Sequence, residues 1–127
     1  MNEEIGSDGV LRAPTDTIGK LVTLPSRTLS VGRIVLYRMN SYDCEEVNRR
    51  RKDAWDQIEW HRTNKTGAQV HFGNKASPGQ VFPAVVVATW STTLANLQVL
   101  LDGNDTFWAT SRGQGDDHGQ WQWPNLT

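Results

Sequence analysis

"NLQVLLDGNDTFWATS", residues Asn96 to Ser111, carries the strongest local instruction in this chain of 127 residues. Branched and aromatic residues alternate with polar ones on either side of an Asp-Gly pair, the dipeptide that tight hairpins favour at the turn. The spacing predicts a strand over Leu97–Leu101, a turn at Asp102 and Gly103, and a return strand over Thr106–Ser111.

Working outward, "FPAVVVATW" predicts a strand from Ala84 to Trp90, with Pro83 at its start, where the missing N–H does least harm. A shorter strand is expected over Ala68–Phe72, and "GQWQWP" closes the chain as a brief strand stopped by Pro124. Nearer the N-terminus, "VGRIVLYRM" alternates in strand fashion, placing Val31, Arg33, Val35, Tyr37 and Met39 on one face. Between them, "SYDCEEVNRRRKDAWDQIEWHR" reads as a helix over about residues 43–60, with Asp43 as N-cap and Glu46 completing a capping box. Cys44, Val47, Ala54, Trp55 and Ile58 form its apolar stripe. Short strands, tight turns and a single helix after the first core strand define a mainly β fold. The expected architecture is a small SH3-like antiparallel barrel or bent sheet. Residues 30–127 form that domain. Residues 1–29, rich in Gly, Pro, Ser and Thr, read as an extended arm in which only Ile18–Leu24 resembles a strand.

With 13 basic and 14 acidic residues the net charge is −1, so no global field draws the chain to DNA, RNA or an anionic membrane. The longest apolar run, Ala84 to Ala88, is far too short to cross a bilayer, and the first residues are acidic where a secretory leader is basic. Cys44 stands alone, which rules out an internal disulfide and fits a reducing compartment. The expectation is a soluble intracellular protein.

Candidate chemistry is sparse. His61, His71 and His118 lack zinc spacing, and "DGND" lacks the remaining ligands of a calcium loop, so no metal is expected. No GxSxG, GxGxxG or Walker loop occurs, and Cys44 falls on the apolar stripe; no enzyme and no cofactor are expected. What remains is aromatic and guanidinium groups. Six tryptophans are many for this length, and an indole serves equally as core filler or as a stacking surface for a base. Trp90 and one of Trp121 and Trp123 are assigned to the core, with Trp108 and the other partly exposed. Arg49, Arg50, Arg51 and Lys52 cover a full helical turn, so one of them, Arg51, faces the sheet and must find an anion there. Candidate ligand-binding residues are Arg49, Arg51, Trp108, Trp121 and Trp123, with His71 and Asn74 from "HFGNK".

Taken in order, "VGRIVLYR", "NRRR", "GAQVHFGN", "FPAVVVATW", "NLQVLLDGND" and "GQWQWP" resemble a family of small proteins encoded by tailed bacteriophages and prophages. The resemblance spans about Val31 to Pro124. It implies a phage accessory protein acting in the host bacterial cytoplasm, where proteins of this size often neutralise host defences. The function it implies is sequestration of a nucleotide-derived immune signal; the alternatives are an adaptor that inhibits a host protein and a virion decoration protein. Nanomolar binding needs about −12 kcal/mol. Two stacked rings at about 1–3 kcal/mol each and three charged hydrogen bonds at about 1.5–3 kcal/mol each reach that only in a preformed site. A pocket shared between identical subunits would supply one, so a homo-oligomer is expected.

Overall fold

The computed structural model describes residues 27–125. Five strands and one helix follow in the order β1 (Ile34–Arg38), α1 (Ser41–Asn64), β2 (Val81–Thr89), β3 (Leu94–Leu100), β4 (Thr106–Gly113) and β5 (Trp121–Gln122). They form one antiparallel sheet in the spatial order β4, β3, β2, β1, β5, curled into a half-barrel. This is the bent, mainly β architecture with one inserted helix that the sequence predicts. The concave face carries the core: Val35 and Tyr37 from β1, Ala84 and Val86 from β2, Leu97 and Val99 from β3, Ala109 from β4 and Trp121 from β5. Cys44 and Val47 of α1 complete it, and burial pushes the Cys44 thiol pKa up. No helix among the described residues is long and apolar enough to cross a membrane.

The expected strand over Ile18–Leu24, and the expected arm as far as residue 26, lie outside the described residues. Leu29, assigned to that arm, is already in the core.

Several expectations need correction. The helix starts earlier and ends later than residues 43–60. Its N-cap is Asn40, not Asp43: the Asn40 side chain accepts from the Asp43 backbone N–H at 2.8 Å. Asp43 instead turns inward, where Tyr37 donates its hydroxyl proton to one carboxylate oxygen and Arg112 Nη2 donates to the other at 3.0 Å. One carboxylate thus ties β1, α1 and β4 together. Burial, then the hydrogen bond to Asp43, raises the Tyr37 pKa far above the usual tyrosine value. At the other end Lys65 adopts a left-handed conformation and donates its N–H to His61 O, closing the last turn.

The chain around Ala68–Phe72 is not a strand. The Asn104 and Arg51 side chains donate to Val70 O and His71 O, Phe72 O accepts from Asn104 N, and only an isolated bridge joins Gly73 to Gly103. Strand β2 includes Pro83 instead of following it. The β3 ladder begins one residue later, at Ala84, so β2 is locally an edge at the proline. Trp90, expected in the core, is 62% exposed. A bulge at Val87 shifts the register by one residue, which turns every later side chain to the opposite face. The indole N–H of Trp90 then reaches Asn96 Oδ1 at 3.0 Å, and the same oxygen accepts from Ser111 N at 2.7 Å. Ser111 is left-handed, at a second bulge that offsets β4 against β3.

The β3–β4 hairpin has the predicted partners, but residues 101–105 connect it, not a two-residue turn. Gly103 is needed for close approach: a Cβ there would lie 2.6 Å from Phe72 O, and one on Gly73 would lie 2.5 Å from Gly103 Cα. At the far side of the sheet, Trp121 joins β5 to the end of β4. Its indole N–H is shared between Thr93 O and Arg112 O, each at 3.1 Å, and its carbonyl accepts from Gly115 N at 2.9 Å.

Candidate functional site: a cleft over a buried arginine clasp

Asn48, Arg51, Lys52 and Trp55 fall three or four residues apart along α1, so they share one side of it. Arg51 is the buried member and organises everything around it. Nη1 and Nη2 of Arg51 fork onto the two oxygens of Asp105 at 3.1 and 3.0 Å. The rest of the guanidinium holds backbone, Nη1 donating to His71 O at 2.6 Å and Nε to Asn74 O at 3.0 Å. Arg50 Nη1 adds a third bond to Asp105 at 2.9 Å and caps Thr106 O. Burial alone would raise the Asp105 pKa; the hydrogen bonds from Arg51 and Arg50 outweigh it and hold the carboxyl below its ordinary value. Asn48 clamps the same segment further along, donating to Ala76 O at 3.0 Å and accepting from Ala76 N at 2.8 Å.

The clamped segment and the helix enclose a cleft of about 590 Å³. Its aromatic wall is Trp55, 74% exposed, which meets the Phe72 ring edge to face at a centroid distance of 5.7 Å. Lys52 and Lys75 line it too, together with Asn74. Lys52 pairs with Asp56 at 2.6 Å, and that hydrogen bond raises its pKa; Lys75 makes no ion pair among the described residues. On the opposite side of the clasp, Gln69, His71, Asn104 and Thr106 border a shallow polar recess of about 520 Å³. There His71 Nδ1 lies 3.8 Å from Asp105 Oδ2, beyond hydrogen-bond reach.

The candidate residues read from the sequence do not form one site. Arg51 and Asn74 line the aromatic cleft, yet Arg51 cannot hold a ligand phosphate as expected, because Asp105 already occupies its fork. His71 lies behind the clasp. Arg49 points away and pairs with Glu46 at 2.6 Å. Trp121 cannot stack on a ligand, being 0% exposed. Trp123 packs edge to face on Trp121 at 5.3 Å, with the guanidinium carbons of Arg27 and Arg33 5.5 and 5.2 Å from its ring centre. Trp108 lies on the convex face of the sheet.

Trp55, Phe72 and Lys75 were absent from that set. Trp55 was assigned to the apolar stripe, but Ala54 takes the core-facing position and leaves the indole outside. The available signal was the spacing of Asn48, Lys52 and Trp55 around an arginine that had to turn inward. Among the described residues no group of three His, Cys, Asp or Glu side chains is placed to hold a metal ion. The cleft offers a flat hydrophobic surface and two ammonium groups, which can meet a planar ring and an anion; the Asn48 and Asn74 amides are engaged with Ala76 and Asp102. No family model, no curated protein and no solved structure matches the chain.

Proposed function

We propose that the protein is a non-enzymatic binding protein whose cleft between α1 and residues 72–75 captures a small nucleotide-derived anion. One observation carries this reading: the Trp55 and Phe72 rings and the Lys52 and Lys75 ammonium groups line one cleft, beside a segment that Arg51, Asp105 and Asn48 hold in place. Preorganisation matters because ordering a loop at the moment of binding would consume much of what one stack and two charge contacts provide. Both kinds of group come from a single chain, so the site does not need to be shared between subunits. Together with the resemblance to tailed-phage proteins, this supports sequestration of a host immune signal in the bacterial cytoplasm.

The test is to equilibrate purified protein with extract from infected cells, release any ligand by heating, and identify it by mass spectrometry. An intact nucleotide is expected, and titration with that compound should show Trp55→Ala weakening binding by about 5- to 150-fold, the loss of one stacked ring. At low salt Lys75→Ala should weaken it further than Lys52→Ala, whose ammonium group already has Asp56 as a partner. Release of no nucleotide, or equal affinity in the Trp55 variant, would overturn the reading.

A further inference from the structure

The helix and the 65–80 segment cover only the concave face of the sheet. On the convex face, strand register lines up Ile34, Val85, Gln98 and Trp108 as one row across β1, β2, β3 and β4. Leu36 and Pro83 face each other in the next row, and Leu100 pairs with Thr106 beside them. Ile34, Val81, Val87, Leu100 and Trp108 are between 40% and 61% exposed, far more than sheet residues of this kind usually are.

We infer that this convex face is the contact surface of a homodimer, two copies packing sheet against sheet across a two-fold axis near Gln98. Its scarcity of charge favours a second copy over a charged partner. In the rows described, the formal charge is that of Arg38 opposite Val81, and Arg38 Nη1 is bonded to Gly79 O at 2.8 Å. A residue at a two-fold axis meets itself, so it must be self-complementary. The Gln98 amide has both a donor and an acceptor and makes no hydrogen bond among the described residues, so it can pair with its own copy, as a lysine or a glutamate could not. Extent agrees as well: the exposed apolar residues lie on four neighbouring strands, Ile34 on β1, Val81 on β2, Leu100 on β3 and Trp108 on β4. The inference also accounts for Trp108, which the proposed ligand cleft leaves unused.

Analytical ultracentrifugation of the full chain at micromolar concentration tests it. The wild type should sediment at twice 14.3 kDa. Gln98→Lys and Trp108→Lys should each self-associate at least about a hundredfold more weakly, the first because like charges meet at the axis and the second because a charge is buried against apolar side chains of the other copy. Their circular dichroism should match that of the wild type, which separates lost association from lost folding. Trp55→Ala, in the other site, should remain dimeric. A monomeric wild type, or a dimer that persists in both lysine variants, overturns the inference. So does a wild type that is monomeric alone but co-purifies with a host protein, which points to an adaptor surface instead.

Discussion

Replacing Asp105 by asparagine keeps the shape of the side chain and removes the one charge that both Arg51 and Arg50 bind. Arg51 is then a buried cation without a counter-ion, and the expected cost is about 3 kcal/mol in a urea titration at pH 7. The pH dependence has a definite sign. Because the folded state lowers the Asp105 pKa, its contribution is complete above the unfolded value of about 4 and fades as pH falls through the folded one. Between pH 5 and pH 3 the wild-type urea midpoint should therefore fall more steeply than that of Asp105→Asn; parallel curves would rule this out. The inward turn of Arg51 was legible because four consecutive cations cannot all avoid the sheet. Its counter-ion was not: Asp105 is 54 residues away along the chain, and nothing local distinguishes it from Asp102. Ligand and internal carboxylate look alike from the arginine's side of the pair.

At the scale of single elements, Asn40 shows how a boundary can be misread. Asp43 looks like a cap because acids and a glutamate follow it, but Asn40 captures the Asp43 N–H first and frees the carboxylate for Tyr37 and Arg112. Asn40→Ala should cost about 1 kcal/mol of stability, while Asn40→Asp or Asn40→Ser should recover most of it, as read by thermal unfolding. If alanine is neutral, the cap contributes nothing. Strand existence and pairing were legible from alternation around Asp102 and Gly103, since period-two patterning survives in any antiparallel ladder. Bulges were not. The extra residues at Val87 and at Ser111 leave the pattern of letters unchanged while reversing which side of the sheet the following residues face, and Trp90 was misplaced for that reason. Trp55 was misplaced by a different ambiguity, because residues one step apart on a helix differ by only about 100° in direction.

Across the whole molecule, the curl of the sheet depends on Trp121. Its indole N–H satisfies two carbonyls at once, on the segment before β3 and on β4, while its ring fills the concave core. Trp121→Phe should lose about 2 kcal/mol, from a smaller ring and from buried carbonyls left without a donor. Trp60→Phe, on the exposed face of α1, should change stability by less than about 0.5 kcal/mol in the same chemical denaturation series. Equal effects would show that the ring at the seam is only one hydrophobic group among others. The crossing of Gly73 over Gly103 has a consequence of another kind. Two loops about thirty residues apart in the chain touch backbone to backbone there, and a single added methyl group on either would collide with the other or with the guanidinium beneath. Neither position has room for a side chain, so packing alone holds both to glycine. The short words "FGN" and "DGND" are accordingly the signature by which distant kin of this chain should be recognised after their overall identity has faded.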